Sequence, residues 1–367
     1  MPPTTRAAYE KKIKTLRGGL HELFNNVEIK LTLRSRSARG PGLKLAPSVN
    51  GISTVTLFTA TTKMVCPSFS LPAGPIKLGG ACPAAGVASL VRDPKLFICH
   101  SCYAIGGKYG VPRGNVATAQ AARLVWAMRA VADGTLGEQL HHALYAYHQA
   151  PRHNRDGRLM DPLFFRIHDA GDCFSPAYYA AWVHLAREAP RIKFWMPTRN
   201  WALGDKWVDL MDVLKRPKNL IVRPSALHFG DLPPDISGLD AGTTSSVKKM
   251  PRVLDCPAYA TKTGNCEDAR CRVCWTQPGR QVSYHPHGSA PKTNPPGYKG
   301  GRGLYALWQQ YKDTDGGDVS VFESWLYKVR ADPNNYTEKE WTELYKKLGA
   351  NNDEIATYLE EGAEWQS

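Results

Sequence analysis

Eight of the nine cysteines fall into two groups, and thiol clusters of this kind bind metals. Cys66, Cys82, Cys99 and Cys102 form the first, Cys256, Cys266, Cys271 and Cys274 the second, and Cys173 stands apart. Cys99 and Cys102 are spaced C-x₂-C, so one tight turn presents both sulfurs to a single metal or cluster. Sixteen residues separate Cys82 from Cys99, so Cys82 returns by a loop, with Cys66 a candidate fourth ligand. Soft thiolates select zinc, copper(I) or iron–sulfur. A zinc ribbon fits the C-x₂-C half equally well; an iron–sulfur cluster is the leading expectation. The second group packs four cysteines into nineteen residues, which suits four-thiolate zinc or a [4Fe–4S] cluster. His285 and His287 follow as substitute ligands, although histidines in an H-P-H turn are commonly just exposed. Cys173 reads as a small buried hydrophobe.

A second constellation, Arg166 to Cys173 (RIHDAGDC), directly follows a strand-like run. Polar residues at the C-terminal end of a parallel strand are where α/β folds place their sites. Arg166, His168 and Asp172 are suited to a carboxylate, an amine or a phosphate. The structural alternative makes Asp172 or Ser175 the cap of a helix opening at Pro176, with His168 a hydrogen-bonded core histidine. Arg199 and the Arg223-Pro224-Ser225 run follow two further strands, which places Arg166, Arg199 and Arg223 on one rim suited to phosphate or carboxylate.

The elements that must carry these residues alternate. Helical spacing covers Tyr9–Phe24, with Ile13, Leu16, Leu20 and Leu23 on one face. A strand is expected at Ile52–Phe58, and helices at Asn115–Val131 and Leu136–His148. Strands at Leu163–Ile167, Lys193–Met196 and Leu220–Val222 then alternate with helices at Pro176–Glu188 and Leu203–Lys215. This rhythm predicts an α/β fold: a partial (β/α) barrel-like parallel sheet with cysteine-rich metal-binding insertions and a helical C-terminal tail. Residues 1–45 read as a basic arm and 46–290 as the α/β iron–sulfur core, its second cysteine-rich module at 255–287. Residues 291–367 read as a linker and an acidic helical tail, one of whose helices opens at a capping box beginning with Thr337.

The formal charge is +14, from 47 Lys and Arg against 33 Asp and Glu. Residues 1–45 hold ten of the basic side chains and three acids, whereas residues 331–367 hold three Lys and nine acids. A field of this sign attracts polyanions, so a nucleic acid or nucleotide-like partner is expected. No apolar run reaches the roughly 18 residues of a membrane helix, and the N-terminus lacks the apolar stretch of a secretory signal. A cytoplasmic location follows as the expectation, and in a reducing cytoplasm clustered cysteines serve as metal ligands rather than disulfides.

The tract F-I-C-H-S-C-Y-A, Phe97 to Ala104, resembles radical S-adenosylmethionine (SAM) enzymes whose last cluster cysteine precedes Tyr-Ala. Their usual spacing is C-x₃-C-x₂-C, against C-x₁₆-C-x₂-C here. The resemblance implies a [4Fe–4S] cluster on Cys82, Cys99 and Cys102 with one iron left for SAM. It implies that Asp169 or Asp172 meets the SAM amino group, and that Tyr103, Arg199, Arg223 and Ser225 help hold the cofactor. It also implies catalytic roles for Asp172, His168 and Arg166, and an auxiliary cluster or a zinc at the second group. A closer resemblance, running from Cys82-Pro83 to the second cysteine group over about residues 60–290, is to phage proteins named after gene product 88 of mycobacteriophages. It implies a phage origin, a host-cytoplasmic location and, with the basic charge, nucleic-acid or nucleotide modification. The alternative is a non-enzymatic iron–sulfur or zinc protein that binds nucleic acid.

Overall fold

The computed structural model describes residues 5–33, 40–60, 64, 66–153, 157, 159–246, 249–250, 252–262 and 264–285. His287, the 291–367 linker and tail with its capping box, and residues 34–39 of the basic stretch lie outside them.

The chain opens with α1 (Arg6–Arg17), capped by Thr5, whose hydroxyl accepts from the Ala8 N–H. It stops before the expected end at Phe24 because Gly18 and Gly19 follow, and Gly19 takes a left-handed φ of 66°. An antiparallel sheet follows, β1 (Glu28–Thr32), β2 (Gly42–Val49) and β3 (Ile52–Thr56) in that order. The arm boundary expected at residue 45 therefore falls inside a strand.

The central sheet begins with β4 (Thr59–Ala60) and β5 (Pro67–Phe69). Helices α2 (Asn115–Ala132) and α3 (Leu136–His148) precede β6 (Phe164–Ile167), α4 (Pro176–Glu188), β7 (Lys193–Thr198), α5 (Asp205–Leu210) and β8 (Leu220–Pro224). The strand order is β4-β5-β6-β7-β8, with β5 to β8 all parallel. Ser175 caps α4 through the Tyr178 N–H at 3.2 Å, and Pro176 opens the helix. The sequence places α3 and α4 at these bounds, whereas α5 is half the expected length. Gly204, at φ 112°, breaks the Leu203–Lys215 pattern, and short 3₁₀ turns flank the helix.

Side chains on β6 to β8 divide by parity, as a pleated strand requires. Phe165, Ile167, Phe194, Met196, Leu220 and Val222 join the core with Trp182 and Tyr178 of α4. Phe164, Arg166, Trp195 and Arg223 occupy the alternate positions, toward the second cysteine module. That module comprises β9 (Thr243–Ser245), β10 (Leu254–Asp255), α6 (Val273–Thr276) and β11 (Val282–Tyr284). Its three strands are parallel in the order β10-β11-β9, and a parallel bridge from Ser225 to Thr243 joins it to the end of β8. The fold is thus mixed α/β with a parallel sheet that stays open, not a closed barrel.

Arg223 fastens the module to the sheet. Its fully buried guanidinium donates to the carbonyls of Ala241 and Arg280 (both 2.7 Å), Gln277 (2.6 Å), Val273 (3.1 Å) and Cys274 (3.4 Å). Trp275 adds a bond from Nε1 to the Phe165 carbonyl at 2.9 Å. Replacing Arg223 with Met strands several buried acceptors, each costing about 1–3 kcal/mol. Urea titration of the full chain is expected to show a loss of about 3 kcal/mol or more; an unchanged midpoint would rule out the clamp.

Candidate metal centre

The two cysteine groups, far apart in sequence, line one cavity of about 440 Å³ at the C-terminal ends of β6, β7 and β8. Cys82, Cys99 and Cys102 form one wall, and Cys256, Cys266, Cys271 and Cys274 another. Residues after β6 (His168 to Asp172), after β7 (Pro197, Arg199) and after β8 (Ser225, Ala226) complete the rim. This is the crevice where open parallel sheets bind ligands.

The first wall is held locally. The Cys82 N–H donates to the Gly74 carbonyl at 2.9 Å, and Cys99 to Cys102 form a tight 3₁₀ turn. His100, between them, is buried and bonds through Nδ1 to the Pro94 carbonyl. Burial pushes the Cys99 thiol up to about 11 against the pull of the Arg199 guanidinium. Burial raises Cys82 further, with Asp172 adding to it, and raises Cys102 as well. Without a metal these thiols stay protonated; a bound metal deprotonates a coordinating thiol outright.

Cys66 does not join the first wall. It packs with Met64, Trp195, Cys266, Cys274 and Trp275, while Cys82 packs in separate clusters with Cys99 and with Cys102. Burial raises the Cys66 thiol, with Arg166 opposing and Cys266 reinforcing the rise. Burial likewise pushes Cys266 up to about 12, with the Cys274, Cys256 and Cys271 thiols adding to it. Cys66, the candidate fourth ligand of the first group, thus sits beside the second. Cys274 also meets the Tyr284 hydroxyl at 3.1 Å. His285 stacks on Tyr259 and bonds to Asp255, so it stands at the edge of the module.

All nine cysteines are free. Among the described residues, His168, Asp172 and Cys173 are the one trio of His, Cys, Asp or Glu ligand atoms within 4.8 Å of one another. No three cysteine sulfurs are therefore as close as tetrahedral zinc would hold them, about 3.8 Å apart for Zn–S bonds of about 2.3 Å. The closer trio is taken up internally: Cys173 Sγ lies 3.4 Å from Met196 Sδ, and His168 Nε2 is 2.9 Å from the Tyr178 hydroxyl.

The aspartates of the β6 loop divide their work. Asp172 accepts from Thr198 Oγ1 (2.7 Å), the Cys173 N–H (2.8 Å) and the Arg199 N–H (2.9 Å), tying the ends of β6 and β7 together. It is a brace with both oxygens engaged. Asp169 accepts from the Tyr109 hydroxyl through Oδ2 at 3.3 Å, and its buried Oδ1 has no partner. His168, at a left-handed φ of 64°, also leaves Nδ1 unpartnered, and Ser101 leaves its hydroxyl so. All three residues line the cavity. Burial, then the neighbouring Arg166 charge, lowers His168 to about 3, so the imidazole is neutral at physiological pH.

The expected rim of three arginines is reduced to two. Arg166 lies over the Trp195 ring at 4.7 Å and donates through Nε to the His168 carbonyl. Arg199 donates through Nε to the Ala226 carbonyl, and both line the cavity. Arg223 is the buried clamp and does not line it. Ser225 does, paired with Thr243 at 3.0 Å, as does Tyr103, edge-on to Tyr109. Sequence reasoning missed Tyr9 of α1 as a lining residue and Tyr109, Tyr259 and Tyr284 as aromatic walls. For Tyr9 the signal was present, since it shares the helical stripe of Ile13 and Leu16.

Among the described residues no helix is long and apolar enough to cross a membrane. No solved structure matches the chain. The Gene 88 protein of Mycobacterium phage L5 is 50% identical over 42 residues, 11% of this chain and 18% of that protein. The Gene 88 protein of Mycobacterium phage D29 is 50% identical over 38 residues, 10% of this chain and 16% of that protein. The matched segments thus span less than a fifth of these curated relatives. The profile of the family described as Gene product 88 matches residues 44–277, which takes in the central sheet and both cysteine groups, and the chain belongs to that family of phage proteins.

Proposed function

We propose that the chain is a radical-SAM-like iron–sulfur enzyme acting on a nucleic acid or nucleotide-like substrate. The carrying observation is that three cysteines of the first group line the same cavity as the four of the second, with Cys66 packed away from the three. Three thiols leave a coordination position open for a ligand, whereas a fourth would close it. Cys82, Cys99 and Cys102 would hold a [4Fe–4S] cluster, which would supply the one electron needed to cleave SAM reductively into methionine and a 5′-deoxyadenosyl radical. The second centre, a cluster or a zinc, draws its ligands from Cys256, Cys266, Cys271 and Cys274, with Cys66 beside them.

The chain's own residues bind, orient and exclude water. Asp169 Oδ1, buried and unpartnered, accepts from the ammonium group of SAM, and Arg199 and Arg166 face its carboxylate. Neutral His168 offers Nδ1 as a hydrogen-bonding group without adding charge. Tyr103 and Ser225 line the remaining wall. The volume, about 440 Å³, lies in the small-molecule range of about 300–1,000 Å³. The partial-barrel reading belongs with this proposal, since the Ser225–Thr243 bridge carries parallel pairing beyond β8.

Anaerobically isolated protein is expected to be brown and to contain iron and sulfide. Reduced and mixed with SAM, it forms 5′-deoxyadenosine. Cys99→Ala and Cys102→Ala abolish that product. Cys66→Ala keeps it, and Asp169→Asn keeps the cluster while weakening SAM binding at least tenfold, about 1.4 kcal/mol, as expected for a lost charged hydrogen bond. A colourless zinc protein, or a cluster that requires Cys66 and ignores SAM, would leave the non-enzymatic reading standing.

The charge supports the substrate class. Affinity for DNA or RNA is expected to fall steeply with salt, because phosphate contacts release counterions. Lys11→Gln with Lys14→Gln, both exposed on α1, lowers affinity and reduces the salt slope by about one to two. Undetectable binding at low salt would sink the nucleic-acid part of the proposal.

A further inference from the structure

The N-terminal helix, expected as part of a basic arm, is built into the first cysteine wall. Tyr9, Ile13 and Leu16 of α1 pack against Ala73, Ala104, Ile105 and Ala170, with Cys82 and Cys102 at the edge of the same cluster. Tyr9 stacks on His100 with ring centroids 4.4 Å apart. Two loop glycines admit the helix: a Cβ on Gly74 would meet Ile13 at 3.1 Å, and one on Gly79 the Arg17 carbonyl at 3.0 Å.

At the end of this helix Arg17 is 1% exposed. Its Nη2 donates to the Ala104 carbonyl at 3.3 Å, two residues beyond Cys102. Its Nε and Nη1 are buried with no partner, and among the described residues no carboxylate forms an ion pair with it. A guanidinium stays charged at any physiological pH. A buried cation with idle donors is strongly unfavourable unless an anion meets it. The ionisable groups that act on Arg17 are Cys82, Cys102 and Tyr9. As neutral thiols they offer it little. Three thiolates outweigh the charge of a divalent metal, so a loaded centre is an anion.

We propose that Arg17 is the counter-ion of the centre held by Cys82, Cys99 and Cys102, a positioning residue that stabilises the loaded and especially the reduced state. The inference rests on the metal reading above. Its sign is determined by charge: reduction adds a negative charge beside Arg17, so removing the cation makes reduction harder. Before loading the same cation is a liability, so its removal should relieve the metal-free chain. A residue needed only for packing would behave the same in both states.

The test uses the full chain, metal-free and loaded anaerobically with ferrous iron and sulfide, as wild type, Arg17→Met and Arg17→Lys. The electron paramagnetic resonance signal lost in Cys99→Ala identifies the first centre. Metal-free Arg17→Met is expected to melt at or above wild type, while the loaded variant melts below it and loses iron sooner to a chelator. At a fixed potential its reduced-to-oxidised ratio falls about tenfold, equivalent to about 59 mV for one electron. Arg17→Lys keeps the charge and stays near wild type. An Arg17→Met chain that loses stability equally in both states, or unfolds without metal, makes Arg17 a packing residue and overturns the proposal. So does an unchanged reduced-to-oxidised ratio. Wild type that takes up no iron defeats the metal reading itself, before any substitution is compared.

Discussion

A cysteine-rich segment with little regular structure leaves carbonyls that no ladder satisfies, and in this protein one side chain answers five of them. Buried backbone acceptors need donors. The second module offers only a four-residue helix and three short strands, and five of its carbonyls turn toward β8. Lysine presents three donors from a point, whereas arginine spreads five over a rigid plane. Arg223 uses that plane to bind Ala241, Val273, Cys274, Gln277 and Arg280 at once. Its parity on β8, opposite to Leu220 and Val222, directs it away from the helix-covered face. The second cysteine group therefore reaches the cavity because of a residue that never touches it.

The other wall depends on a different economy. Asp172 braces the ends of β6 and β7 through three donors, freeing the adjacent Asp169 to keep one oxygen for something outside the chain. That turn is tight: His168 and Gly171 are both left-handed, and a Cβ on Gly171 would meet Leu71 at 2.6 Å. Burial raises the Cys82, Cys99 and Cys102 thiols on one wall and Cys266 and Cys274 on the other, so these positions resist charge until a metal supplies it. Unpartnered polar atoms on Ser101, His168 and Asp169 belong to residues that line it. Unmet hydrogen bonds on residues that line a cleft are expected where a ligand completes the structure.

The parts of this arrangement that were legible in the sequence are those governed by short-range pattern. Helices α3 and α4 run over their expected residues because apolar spacing, Ser175-Pro176 and the lack of internal breakers agree. The strands β6 to β8 were visible as short apolar runs between helices. The two cysteine groups were visible through spacing, but not their convergence on one cavity, because 153 residues that include the alternating elements separate Cys102 from Cys256. The partner of Cys66 was hidden for the same reason: proximity to Cys82 along the chain says nothing about which face of β6 and β7 it packs on. Arg223 read as a rim arginine because its position after a strand was correct and its direction was not readable. Asp172 and Asp169, three residues apart, differ only in which hydrogen bonds the fold supplies.

Net charge suffers from the same blindness. Composition counts every arginine alike, yet Arg17, Arg123, Arg152, Arg216 and Arg223 are buried, and each donates to a backbone carbonyl. Arg216 also pairs with buried Asp240 at 2.5 Å. These guanidinium groups act as structural donors in places where secondary structure leaves carbonyls bare, and phosphates outside the protein do not reach them. The formal +14 therefore overstates the number of cations available to a polyanion. The first forty-five residues show the consequence most clearly. Their basic side chains divide between exposed ones, such as Lys11 and Lys14, and buried Arg17, which bonds to the Ala104 carbonyl two residues beyond Cys102. Deleting the segment would remove surface charge and a wall of the cavity together, so a loss of nucleic-acid affinity would not separate the two. Substitution on the exposed face of α1 separates them, because that face carries charge without carrying the fold.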